Sequence, residues 1–151
     1  MHLPKLPPTA AYILLSNPAK RNALSLTVLK DMKRQLTEAL TPPVSGQLRL
    51  LPPFKDEILK DLEKTLRQND KSTDQWRKYG WRVNAAEWKR EREGLPNVLV
   101  LRSEGPVFSS GHDLKELSQL SHDDVKLLFS LCAEVMTLIR RSPALVVCPI
   151  Q

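Results

Sequence analysis

The segment "GPVFSSGHDLKEL", residues 105–117, gathers Ser109, Ser110, Gly111, His112 and Asp113 between an apolar run and a helix-like stretch. Three chemistries use such residues: a serine nucleophile, a metal site, or a backbone turn that holds a negatively charged oxygen. A hydrolase serine is flanked by glycines on a sharp turn, with its acidic partner and histidine later in the chain. Neither serine has those flanks, and His122 falls in a helix cap. A metal needs converging ligands, whereas adjacent His112 and Asp113 diverge on regular backbone, and His2 and His122 add no complementary spacing. The backbone reading asks less of the side chains. Gly105 and Pro106 shape the approach, Gly111 permits an unusual turn, and the His112 peptide N–H is left to face a substrate oxygen near the start of "DLKEL". An oxyanion hole needs two converging donors, so this turn supplies at most one. The residues alone leave open the plainer alternative, that Gly111 makes a turn and His112 covers it.

The elements that must position this turn are legible on both sides of it. Residues 12–15, "YILL", read as a short buried strand that ends in a turn at Asn17 and Pro18. A helix follows from Leu26, with Leu29, Met32, Leu36 and Leu40 on one face, capped by Asn22 or Ser25 and stopped by Pro42 and Pro43. "NVLVLRS", starting at Asn97, is a continuous apolar run suited to a strand covered on both faces. Ser121 to Asp124 forms a capping box before a long helix whose expected inner face is Val125, Leu128, Phe129, Cys132, Val135, Met136 and Ile139. "ALVV" then reads as a third strand. Strand, helix, strand, helix, strand predicts an α/β layer of parallel strands joined by crossovers. Another helix is expected after such a strand, and the sequence reaches Gln151 first.

Residues 41–95 interrupt that rhythm. They contain two diproline sequences, a plausible amphipathic helix built on Ile58, Leu59, Leu62 and Leu66, and all three tryptophans, Trp76, Trp81 and Trp88. A connection of this length is unusual inside a βαβ unit and reads as an insertion. Aromatic residues among Arg and Lys, with Trp81 and Arg82 the pair of interest, could stack on bases and neutralise phosphates. No recognised nucleic-acid module accompanies them, and a helical insertion whose aromatics pack on the main domain explains them as well.

With 151 residues the chain is long enough for one ordinary domain. Twelve prolines against five glycines, and an apolar fraction of 41%, argue against regular order throughout. The net charge of +6 is divided evenly between residues 41–95 and the remainder, so no separate basic domain exists. Cys132 and Cys148 fit neither a disulfide framework nor a zinc knuckle and are expected to be reduced. No run reaches the ~20 apolar residues of a membrane span, and "MHLPKLPPTA" has neither a secretory core nor the character of a transit helix.

"NPAKRNAL", residues 17–24, followed by "GPVFSSGHDLKEL" at the end of the next matched strand, resembles the enoyl-CoA hydratase/isomerase (crotonase) family. The resemblance covers roughly residues 11–40 and 96–147. It implies an incomplete crotonase-like parallel β-sheet layer with crossover helices: residues 11–40 form its first part, 41–95 the charged insertion, and 96–148 the second part. By this resemblance Lys20, Arg21, Ala23 and Leu24 lie near the nucleotide part of coenzyme A. The His112 peptide N–H is one oxyanion-hole donor, with no role for its imidazole as a base, and Asp113, Leu114 and Lys115 line the acyl-CoA channel. A basic pair beside an Asn-initiated helix suits a phosphorylated ligand, although either cation can equally face solvent. No metal and no permanently bound cofactor is implied; a coenzyme A thioester is the expected substrate or ligand.

The family stabilises an enolate-like thioester oxygen while acid/base groups add water or move a proton. The glycine-rich segment that gives its second donor, expected after "ALVV", has no counterpart in this sequence, nor has the region of its catalytic glutamates. Glu104, Glu116 and Glu134 fall elsewhere. The resemblance therefore implies an acyl-CoA-handling protein of fatty-acid metabolism, shortened and catalytically impaired, so that whether it is an enzyme stays open. The alternatives are a noncatalytic product that associates with a complete family member or with itself, and, less favoured, a nucleic-acid binder acting through the insertion. The location implied is mitochondrial, or cytoplasmic if a transit segment is lacking.

Overall fold

The computed structural model describes residues 3–68 and 71–150, so His2 lies outside the described part. Its elements run β1 (Ala10–Leu15), α1 (Leu26–Ala39), α2 (Asp56–Gln68), α3 (Asp74–Tyr79), α4 (Ala85–Glu91), β2 (Val98–Ser103), α5 (Leu114–Leu117), α6 (His122–Arg140) and β3 (Leu145–Val147), with short 3-10 turns at Pro18–Lys20 and Gly80–Arg82. The strands form one three-stranded sheet in the order β1-β2-β3. Both pairings are parallel, with Tyr12 beside Val100 and Val100 beside Val147. This is the expected α/β layer, and the sheet stays open rather than closing into a barrel.

One face of the sheet carries the core. Ile13 and Leu15 of β1 and Leu99 of β2 meet Leu29, Met32 and Leu36 of α1, while Leu128, Leu131, Val135 and Leu138 of α6 complete the layer. Residues two apart on a strand share a face, and residues three or four apart share a helix stripe, so the two periods of the sequence converge on one interior. Ser25 is the cap of α1: its hydroxyl accepts the Val28 N–H, whereas Asn22 serves elsewhere. Ser121 caps α6 by accepting the Asp124 N–H. Gln35 of α1 reaches β1, where its Oε1 accepts the Leu14 N–H at 2.8 Å and its Nε2 donates to the Leu14 carbonyl at 3.0 Å. That helix side chain satisfies strand-edge groups that would otherwise invite another strand.

The inner stripe of α6 differs from the expected one. Leu131 and Leu138 are inside, while Phe129 and Met136 are 51% and 48% exposed. Apolar residues nearly encircle this helix, so periodicity offers two stripes and the position of α1 selects between them. In α2, Leu62 is buried, but Leu59 and Leu66 are largely exposed.

Between α1 and β2 the chain forms α2, α3 and α4, and the stretch before α2 hydrogen-bonds to the ends of α1 and α6. The Arg49 N–H donates to the Leu40 carbonyl, and the Leu51 N–H donates to the Arg141 carbonyl. Arg141 returns a hydrogen bond from Nε to the Leu51 carbonyl at 2.7 Å. Trp81, 6% exposed, stacks on Trp88 with ring centroids 5.2 Å apart. Arg49 and Arg92 lie over Trp81 and Trp88, at 5.9 and 5.1 Å from the ring centroids. Arg49 also pairs with Glu91. Trp81 thus spends its ring face inside the protein, where a nucleobase does not reach it.

Candidate functional site

Two turns, one after β1 and one after β2, meet at the carboxyl ends of parallel strands, the end where ligands of open α/β sheets bind. The first turn contains two successive left-handed residues, Arg21 at φ 51° and Asn22 at φ 53°. An L-residue in that region costs about 1–2 kcal/mol, so other interactions must hold it. Asn22, 1% exposed, supplies them. Its Nδ2 donates to the Glu104 and Val107 carbonyls, each at 2.7 Å, and its Oδ1 accepts the Asn17 N–H at 2.8 Å. Its own carbonyl accepts the Ser109 hydroxyl at 2.9 Å.

The second turn is shaped by Gly105 and Gly111, both at positive φ, 81° and 85°. The Ser109 hydroxyl also accepts the Gly111 N–H at 3.2 Å, so it is committed to the turn. The Ser110 N–H donates to the Arg21 carbonyl. Leu24 and His112 then pair as an isolated parallel bridge, with the Leu24 N–H donating to the Gly111 carbonyl at 2.7 Å and the Asp113 N–H donating to the Leu24 carbonyl at 3.2 Å.

This bridge fixes the direction of one donor. The peptide joining Gly111 to His112 is trans, so its N–H points opposite to its carbonyl. Its carbonyl faces Leu24 and the His112 N–H therefore faces away, with no acceptor among the described residues. A hydrogen bond accepted by a peptide carbonyl also strengthens donation from the N–H of the same peptide. The His112 ring lies 5.4 Å from the Phe129 ring, centroid to centroid, and its Nε2 is buried without a partner.

The charged residues come together as well. Lys20 Nζ lies 2.8 Å from Asp113 Oδ2, with the Lys20 side chain 58% exposed and the Asp113 side chain 8% exposed. Asp113 also caps α5 by accepting the Glu116 N–H at 3.0 Å. The hydrogen bond from Lys20, and then that from the Glu116 N–H, hold the Asp113 carboxyl below its ordinary value, while Asp113 raises Lys20. Glu116 Oε1 accepts the Leu26 N–H at the start of α1. Ala23 is buried, whereas Leu114 is 75% exposed. The two turns are thus joined by Lys20 to Asp113, by Leu24 to Gly111 and Asp113 across its bridge with His112, and by the Arg21 carbonyl to Ser110. Sequence reasoning missed the part played by Asn22 and Ser109. The signal was present in Asn22, a residue tolerant of left-handed backbone placed beside a turn. Among the described residues no cluster of three or more His, Cys, Asp or Glu could hold a metal, and no helix is long and apolar enough to cross a membrane.

The chain is 31% identical over 132 residues to enoyl-CoA hydratase domain-containing protein 3, mitochondrial, of Mus musculus, covering 87% of this chain and 27% of the relative. The Homo sapiens protein of that name is 32% identical over 136 residues, covering 89% and 28%. A crystal structure of the human protein superposes with a TM-score of 0.50 at 28% identity, over 95% of this chain and 37% of that one. The chain belongs to the crotonase superfamily. Its crotonase fold is also seen in a structure of a putative enoyl-CoA hydratase from Streptomyces coelicolor, with a TM-score of 0.51 at 18% identity, over 95% of this chain and 35% of that one. No protein-family model matches the chain. This crotonase-superfamily chain spans just over a quarter of the length of the curated relatives it matches, 27% and 28% for the mouse and human proteins.

Proposed function

We propose that this chain handles acyl-CoA thioesters in fatty-acid metabolism, as an altered relative of mitochondrial enoyl-CoA hydratase domain-containing protein 3, and that these 151 residues alone are catalytically impaired. The observation that carries this reading is the outward-facing His112 N–H, which has no acceptor among the described residues and is held by a bridge to the other motif. In the proposal this N–H donates to the thioester oxygen. Lys20, Arg21, Ala23 and Leu24 lie toward the nucleotide part of coenzyme A, and Asp113, Leu114 and Lys115 line the acyl channel. Lys20 keeps donors for a phosphate while one serves Asp113.

An enolate-like oxygen gains most from two preorganised donors, and losing one costs about 100-fold to 1000-fold in rate. These residues supply one such donor and no carboxylate in the position of the family's catalytic glutamates. The chain thus binds a thioester while barely accelerating its chemistry. Mitochondrial placement follows the named relatives.

The test is an amide NMR titration with butyryl-CoA, paired with an assay of crotonyl-CoA hydration. Saturable shifts at residues 20–24 and 111–115 with negligible hydration are expected. Absence of saturable shifts removes the ligand, and hydration at an ordinary enzyme rate removes the impairment.

A second reading is favoured by apolar groups exposed at two places, Leu145 and Val147 of β3 at 65% and 38%, and Phe129 and Met136 of α6 at 51% and 48%. Parallel sheets are normally covered on both faces, so association with a complete family member is the noncatalytic alternative. Light scattering of the chain mixed with such a protein separates a defined complex from aggregation.

A further inference from the structure

We propose that Asn22 is a positioning residue that aims the His112 peptide N–H; this rests on the acyl-CoA reading above. Gly111 gives its turn freedom but no direction, because nothing lies within 4 Å of where its Cβ would be. The Lys20–Asp113 ion pair joins the same turns at a half-exposed side chain, where solvent competes for it. Asn22 differs from both. It is 1% exposed, and its side chain ties the first turn to the second at Glu104 and Val107 while holding Asn17 on its own turn.

The mechanical sequence is short. The two Nδ2 hydrogen bonds fix the turn after β2 against residue 22, and the Ser109 hydroxyl carries that restraint forward through the Asn22 carbonyl and the Gly111 N–H. Two residues beyond Asn22, the Leu24 N–H holds the Gly111 carbonyl at 2.7 Å. Because that peptide is trans, holding its carbonyl holds the His112 N–H in the opposite direction. Rotation of this one peptide plane would swing the donor away from a bound thioester oxygen without disturbing the apolar core. The left-handed backbone of residue 22 is acceptable to Asn and to Gly, and only Asn brings the side-chain donors.

Asn22→Gly separates the two contributions, since it keeps the backbone conformation and deletes the side chain. Through-hydrogen-bond couplings between the Leu24 nitrogen and the Gly111 carbonyl carbon report the bridge directly, and core methyl shifts report the fold. In the variant the coupling is expected to vanish and the His112 amide to move, while the shifts of Leu29, Leu99 and Leu128 persist. Butyryl-CoA is then expected to bind about tenfold more weakly, the worth of one hydrogen bond, and to perturb Lys20 but no longer His112. An intact coupling with an unmoved His112 amide overturns the positioning role, whatever the ligand does. Butyryl-CoA that leaves His112 unmoved in the unaltered chain removes the acyl-CoA reading, while the coupling comparison still decides what Asn22 orients. Asn22→Asp, equal in size and tolerant of the same backbone, provides the second variant. Collapse of the core in both would show that Asn22 holds the fold rather than the donor, and would overturn the proposal.

Discussion

Leu24 and His112 stand opposite each other in a parallel bridge that turns the His112 N–H away from the protein's own acceptors. The two glycines of the second turn allow that arrangement in unequal ways. Gly111 has open space around a notional Cβ, whereas one added to Gly105 would sit 3.0 Å from the Pro18 Cβ. Gly111→Ala is expected to cost about 1–2 kcal/mol, the ordinary penalty of a left-handed L-residue. Gly105→Ala adds a close contact with a rigid ring and should cost more. Urea unfolding of the two variants checks the order; equal losses would show that the Pro18 contact is soft.

The stripe of α6 that faces the core is testable by contrast. Leu128 is fully buried and Phe129 is 51% exposed. Leu128→Ala should lose about 2–5 kcal/mol through lost burial and a cavity. Phe129→Ala, despite removing the larger side chain, should lose only about 1 kcal/mol, since half of that residue is in water already. Thermal unfolding distinguishes them, and a reversed ranking would place the other face inside.

Gln35→Ala removes both hydrogen bonds to Leu14. The expected loss is about 1–3 kcal/mol, from two partly buried peptide groups left without their partner. Hydrogen exchange at the Leu14 amide should accelerate more than at neighbouring β1 amides; uniform acceleration would indicate general destabilisation.

The Lys20–Asp113 pair makes stability depend on pH at both extremes. Asp113 is depressed below 3.8, chiefly by the Lys20 hydrogen bond, so its contribution is present above 3.8 and is lost as pH falls through the lower folded value. Lys20 is raised above 10.5, chiefly by Asp113, so its contribution is present below 10.5 and is lost as pH rises through the higher folded value. Asp113→Asn keeps an acceptor for the Glu116 N–H and removes the charge. The stability difference between the two proteins should be flat across neutral pH and shrink in acid. A difference unchanged from pH 6 to pH 2 would show that the cap, not the ion pair, is what Asp113 contributes.

The sequence by itself determined the strands, the two long helices and the turns that follow β1 and β2. Period-two and helical apolar patterns, Ser caps and proline stops act locally and are written in order along the chain. Even the turn at Gly111 was legible, because a left-handed position at a strand end calls for glycine. Tertiary structure decided what local pattern cannot. It chose Leu131 and Leu138 over Phe129 and Met136, because a helix apolar on two sides buries whichever stripe meets α1. It turned Trp81 and Trp88 toward each other and the arginines, with Trp81 buried. It also moved Asn22 from a possible helix cap to the buried tie between the turns, since its partners Glu104 and Val107 are distant in sequence and become neighbours only when β1 and β2 pair.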